Sequence, residues 1–185
     1  MAERDHRDSG AVRGADRAVG GGKRERTAQI DRVALAYTCH YIPKDTGSDT
    51  VEHFTPKSVN PALAYEWSNF RLVCGRLNGR KGDHQDVLDP ASITASPFQI
   101  DFPSLQLKIS ENLNKDIIDL AESTIVRLKL NEERCIESRQ EYVENYCNDI
   151  VSLAGLQRYA PFLYYELNRQ DLSKDELRKI MSYSS

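Results

Sequence analysis

The chain has 185 residues, 29% of them charged, with a formal net charge of −3. That length holds one domain with a core, or a small domain with extensions. No apolar run approaches the roughly 20 residues of a membrane span, and the N-terminus lacks the apolar centre of a signal peptide.

Residues 1–28 are polar and rich in Gly, Arg and Asp. They read as a flexible arm, or one ordered by a partner. Ile30, Val33, Leu35 and Ala36 suggest a short helix over 26–37. A β-hairpin is then expected: a strand over 36–42, a turn around 44–49, a strand over 50–54, with Pro43 and Gly47 as punctuation. The next segment, with Leu63, Trp67, Phe70, Leu72 and Val73, is a turn-rich link into another apolar stretch. Gly79 and Gly82 break "LNGRKGD". Pro90, Pro97 and Pro103 make 84–108 extended and irregular. Beyond that the pattern is helical. Ile117, Ala121, Ile125 and Leu128 recur at three and four. Asn131 is placed to cap a second helix with Ile136, Tyr142, Val143, Tyr146 and Ile150 on one face. "SLAGLQRYAPFLYYELNR" and "SKDELRKIMSYS" suggest two more short helices. The last is capped by Ser173, with Glu176 at capping-box spacing.

Charge is uneven. Residues 1–82 carry 14 Lys and Arg against 10 Asp and Glu, and the remainder 11 against 18. The stretch from Phe70 to Gly82 holds Arg71, Arg76, Arg80 and Lys81 and no acid. Such a basic edge suits a polyanion; a solvated surface is the plainer reading. Four cysteines without a secretory signal suggest a reducing, cytoplasmic setting.

Four residues could carry chemistry together: Glu52, His53, Asn69 and Asn78. Histidine is the side chain suited to take a proton from water near neutral pH. A carboxylate is a hard oxygen ligand, matched to Mg²⁺ or Mn²⁺. Neighbours on a strand point to opposite faces, so Glu52 and His53 can serve one point only where the backbone bends; Phe54-Thr55-Pro56 supplies a bend. Asn78 could add a neutral oxygen, and Asn69 could tie the loop and fix the imidazole.

The ordered set "VEHFTPKS … LAYEWSNFRLVC … LNGRKGD" resembles the HNH endonuclease family, whose ββα-metal fold is a β-hairpin followed by a helix. The resemblance covers about residues 37–83. Downstream, "VLDP … PF … DFPSL … TIVRLKLN" is similar, more loosely, to a bacterial HNH subgroup. That subgroup includes the nuclease subunit of Septu-type anti-phage systems, which works beside an ATPase. The resemblance implies His53 as general base, Asn69 as the central asparagine, and Glu52 and Asn78 as ligands of one divalent ion. It implies hydrolysis of a phosphodiester in DNA, with RNA open to the same chemistry. Lys57, Arg76, Arg80 and Lys81 could hold flanking phosphates.

Many HNH proteins bind a structural zinc through two CxxC pairs. Here Cys39 lacks its partner, with Ile42 in that place, and Cys74 lacks its own, with Leu77 there. Two thiolates do not close a tetrahedral site, so zinc is not expected even with His40 nearby; Ile42 and Leu77 should pack apolar instead. Trp67 is expected in the core between hairpin and helix. His84 reads as a solvated loop residue, and Asp83, Asp86 and Asp89 as loop and turn residues. The C-terminal tyrosines read as packing or a partner face. Cys135 and Cys147 read as buried thiols that cannot bridge along one helix.

The expected fold is α+β: an arm over 1–28, an HNH ββα-metal hairpin-helix module with a Pro-containing link over 29–108, and a mostly helical region over 109–185. The expected function is a metal-dependent DNA endonuclease, the effector subunit of an anti-phage system with an ATPase partner. The alternative is a non-catalytic HNH-derived subunit that binds DNA or a partner.

Overall fold

A computed structural model of the chain describes residues 49–92 and 96–181. The expected N-terminal arm, the helix over 26–37 and the strand over 36–42, with Cys39, His40 and Ile42, lie outside the described residues.

Strand β1 is Asp49–His53, close to the expected 50–54. It pairs antiparallel with β2, Phe70–Cys74, with Val51 opposite Leu72 and His53 opposite Phe70. Because side chains alternate, Thr50, Glu52, Arg71 and Val73 share one side. Glu52, Arg71 and Val73 are buried there, beneath helix α1, Gly75–Lys81. Leu77 and Lys81, four residues apart, are the helix's buried positions. Gly82 ends the helix at φ +48°, a conformation that favours glycine, and its N–H reaches the Asn78 carbonyl at 2.9 Å. Leu77 is buried, as expected of an apolar residue in that place.

The other side of the hairpin is not covered among the described residues, with Val51 61% and Leu72 41% exposed. The connection from β1 to β2 holds two 3₁₀ turns, Pro61–Leu63 and Trp67–Asn69. Trp67 departs from expectation. It is 86% exposed and meets Phe70 edge-on, with ring centroids 5.6 Å apart. It opens its turn on the uncovered side of the hairpin, while α1 covers the opposite side.

Residues 84–108 are less irregular than their prolines suggest. Strands β3, Phe98–Asp101, and β4, Gln106–Ile109, form a second antiparallel hairpin, with Ile100 opposite Leu107. Pro97 and Pro103 fall outside the strands, where a missing N–H costs no ladder bond.

Helix α2 is Lys115–Leu128, capped by Asn114, whose side chain accepts from the Ile117 N–H. Helix α3 is Glu133–Cys147. Its N-cap is Glu132, not Asn131. The Asn131 amide brackets Leu107 of β4 instead, accepting from its N–H at 2.7 Å and donating to its carbonyl at 2.9 Å. Ile150 lies past the end of α3 and is 71% exposed, so it does not join that face. The stretch expected as one helix over 152–169 is two: α4, Leu153–Tyr159, and α5, Pro161–Arg169. The break falls at Ala160, in a non-helical conformation (φ −137°, ψ 61°), because the ring of Pro161 disfavours helical backbone before it. Helix α6, Lys174–Ile180, carries the expected Ser173–Glu176 capping box.

One buried apolar cluster runs from Val73 and Leu77, through Phe98, Ile100 and Leu107, to Leu156, Leu163 and Leu177. The first hairpin and the C-terminal helices therefore share a core. Two buried charges tie it: Arg139 of α3 donates to the Leu105 and Leu130 carbonyls, and Glu166 of α5 accepts from the Ile100 N–H at 2.8 Å. Among the described residues no helix is long and apolar enough to cross a membrane.

Candidate functional site

The candidate residues meet where β1 ends. His53 is the last residue of β1, on the open side of the hairpin. Its Nε2 lies 2.9 Å from the Ala64 carbonyl, and its ring stands edge-on to Phe70 at 4.9 Å. A carbonyl can only accept, so Nε2 carries a proton; in the neutral tautomer this selects, Nδ1 is the nitrogen with the lone pair.

Ala64 sits in the loop that Asn69 pins. The Asn69 side chain is buried. Its Oδ1 accepts from the Thr55 N–H at 2.7 Å, and its Nδ2 donates to the carbonyls of Thr55 at 3.0 Å and Leu63 at 3.2 Å. The backbone adds a bond from the Phe54 N–H to the Asn69 carbonyl at 2.8 Å. One amide thus holds both ends of the loop whose Ala64 carbonyl orients His53. Residue type could not have pointed to Ala64, which acts through its backbone.

Glu52 lies on the other side of β1, against α1, and Asn78 reaches that side from α1 itself. The Asn78 Nδ2 donates to the Thr50 Oγ at 3.1 Å, and that hydroxyl donates to the Val73 carbonyl. The Asn78 oxygen is thereby left uncommitted among the described residues. Glu52 is 4% exposed, and its Oε1 pairs with the Lys81 Nζ at 2.7 Å. Lys81 also donates to the Phe54 carbonyl at 2.8 Å and stands over the Phe54 ring. Burial pushes the Glu52 carboxyl above the usual carboxylate range, against the opposing pull of Lys81. Glu52 and Asn78 therefore share the α1-facing side, while His53 and Asn69 stand on the loop side.

The expected basic edge is different in the folded chain. Each cation of the 70–82 stretch meets an acid. Arg71 grips Asp89 through two bonds of 2.7 and 2.5 Å. Arg76 and Arg80 share Glu132, and Arg80 also donates to the Leu128 carbonyl at 2.8 Å. Arg80 holds the Glu132 carboxyl below the usual range. Lys81, expected among the phosphate-holding residues, is 1% exposed and paired with Glu52. Lys57 remains exposed on the loop after Pro56. The acid-rich second half supplies Asp89 and Glu132, partners that local charge counting does not find.

His84 and Asp83 are exposed loop residues, with Asp83 accepting from the Ser58 hydroxyl at 2.9 Å. Asp86 pairs with Arg127 at 2.8 Å. Cys74, Cys135 and Cys147 are free thiols. Cys135 and Cys147 both lie on α3, and burial raises both thiols.

The chain is similar to the Septu protein PtuB of Bacillus thuringiensis. The two are 34% identical over 82 residues, which is 44% of this chain and 30% of PtuB. The match therefore spans less than a third of PtuB's length. No family model matches this chain, and no solved structure matches it.

Proposed function

We propose that the chain is a metal-dependent HNH endonuclease that hydrolyses phosphodiester bonds in DNA, and that it serves an anti-phage defence system beside an ATPase subunit. The defence role rests on the partial likeness to PtuB. The chemistry rests on one observation: an imidazole held by the Ala64 carbonyl, on a loop that Asn69 ties at both ends.

In this reading the Nδ1 of His53 takes a proton from the attacking water, and the Ala64 carbonyl steadies the resulting imidazolium through Nε2–H. Asn69 acts by keeping that carbonyl in place. Lys57, and Arg76 where it emerges beside Glu132, meet flanking phosphates without regard to sequence. The Glu52 carboxylate and the Asn78 amide oxygen are donors of the kind Mg²⁺ or Mn²⁺ prefers. The buried Glu52 Oε1 already faces the Lys81 ammonium at 2.7 Å, so this carboxylate does not stand free for an ion. A divalent ion would supply charge neutralisation at the scissile phosphate and the departing oxygen, but Glu52 and Asn78 stand on the α1-facing side of the hairpin and His53 on the loop side, so these residues do not gather around one ion with the base.

The test is plasmid nicking with Mg²⁺, Mn²⁺ or EDTA, by the chain alone and with its co-purifying partner. His53→Ala should lower the metal-dependent rate by roughly 10²–10⁴-fold, the usual contribution of a positioned base. Unchanged nicking by that variant would overturn the assignment. A second reading, a non-catalytic subunit that binds DNA or a partner, draws support from the Glu52–Lys81 pair, which already satisfies the carboxylate's charge. It predicts DNA or partner binding with no nicking in any metal.

A further inference from the structure

We propose that Tyr65 and Trp67 form a stacking platform for unpaired nucleobases, so that the chain takes single-stranded DNA beside His53. This rests on the DNA-binding part of the reading above and on no metal ion. Tyr65 is 91% and Trp67 86% exposed, the two highest values among the large apolar side chains of the described residues. Aromatic rings carry the largest apolar area of any side chains, and here two stand almost adjacent in solvent. The backbone presents them together. Glu66 between them is extended (φ −80°, ψ 120°), which sets the Cα atoms of its two neighbours about 6–7 Å apart, close to twice the roughly 3.4 Å spacing of stacked bases. The pleat of extended backbone favours the two rings on one side and the Glu66 carboxylate on the other. The segment is also held. The Glu66 N–H reaches the Leu63 carbonyl at 3.2 Å, the Asn69 N–H reaches the Glu66 carbonyl at 2.9 Å, and the Asn69 amide pins Leu63, so little ordering is left for binding to impose.

Location names the ligand. Two edge-on ring contacts lead from Trp67 to Phe70 at 5.6 Å and from Phe70 to His53 at 4.9 Å. The Ala64 carbonyl that holds His53 belongs to the residue just before Tyr65. A ligand on the rings therefore lies against the proposed base. Lys57, exposed on the same loop, supplies charge for a phosphate backbone. Paired bases hide their faces inside the duplex, so the rings reach them only in a single strand or where a nucleotide is flipped out.

The experiment uses the full chain in EDTA, so that neither cleavage nor a metal enters. The probes are a short oligothymidylate, an abasic oligomer of the same length and charge, and a duplex of that length. Oligothymidylate should quench the emission of Trp67, the single tryptophan, and bind at least about tenfold more tightly than the abasic oligomer. The duplex should leave the emission unchanged. By fluorescence anisotropy of labelled oligomers, Tyr65→Ala and Trp67→Ala should each weaken oligothymidylate binding by roughly 5- to 100-fold and leave abasic binding within about twofold. Tyr65→Phe keeps the ring face and should bind as the parent does.

Equal affinity of the parent for thymidylate and abasic oligomers would overturn the proposal. So would an equal loss on both in the alanine variants, which marks damage to charge or fold rather than lost stacking. Duplex binding with no preference for thymidylate and no quenching would remove the platform and leave the nuclease reading standing. Failure to bind any of the three probes would sink the platform and the DNA reading together. If the co-purifying partner shields Trp67 from acrylamide and oligothymidylate does not, the rings are a protein contact and the proposal fails.

Discussion

Removal of the Asn69 side chain tests both the loop and the chemistry. Asn69→Ala deletes three hydrogen bonds, of 2.7, 3.0 and 3.2 Å, from a buried side chain. Each neutral bond is worth about 0.5–1.5 kcal/mol net, so the loss should be about 2–3 kcal/mol once water reaches the exposed parts of the loop. For a chain of this size that lowers the Tm by about 5–10 °C. Asn69→Asp is the sharper variant. It keeps an acceptor for the Thr55 N–H but turns a carboxylate oxygen towards the Thr55 and Leu63 carbonyls, so it should cost at least as much as alanine. Urea unfolding followed by far-ultraviolet circular dichroism gives both values. In the same samples, nicking should fall while DNA binding persists, because His53 loses its orienting carbonyl. An aspartate variant within about 0.5 kcal/mol of the parent would refute the assigned network.

Three further outcomes are expected. Glu166→Ala should cost roughly 2–4 kcal/mol in urea unfolding, because it strands the buried Ile100 N–H and frees Arg169; Glu166→Gln should cost less, since an acceptor remains. Trp67 is the single tryptophan and lies 86% exposed, so its emission should be that of a wetted indole, readily quenched by acrylamide, and Trp67→Ala should cost at most about 1 kcal/mol, the scale of its edge contact with Phe70. The Asp86 carboxyl is held at about 2 by hydrogen bonding from Arg127; a depressed folded value means stability present above the ordinary 3.8 and lost as pH falls towards 2, so Asp86→Asn should flatten the fall of the urea midpoint between pH 4 and 2.

The helical half was legible because its signals are local. Ile117, Ala121, Ile125 and Leu128 mark α2 by period, and Ser173 with Glu176 marks the start of α6 by spacing. Misreadings arose where a distant partner decides. Asn131 has the residue type of a cap, but a free strand edge at Leu107 claims its amide. Trp67 has the bulk of a core residue, yet the hairpin is covered on the opposite side. In 84–108 the prolines mask the alternation of Phe98 and Ile100 with Leu107 and Ile109, which carries the second hairpin. At the candidate site, the order of Glu52, His53, Asn69 and Asn78 was readable from residue type. That Lys81 answers Glu52, and that Glu132 answers two arginines, was not, since those pairings join segments up to 56 positions apart (Arg76 to Glu132). His53's hold on a backbone carbonyl leaves no trace in side-chain identity at all.

A helix of seven residues is too short to persist by itself, so the posture of the one bearing Asn78 belongs to whatever grips it. Arg80 fastens it to the last carbonyl of α2, and with Arg76 it shares the acid just ahead of α3. Cutting the chain before residue 110 would take away every one of those moorings. The C-terminal helices are thus the bench on which the hairpin is mounted, and the smallest piece worth assaying includes them.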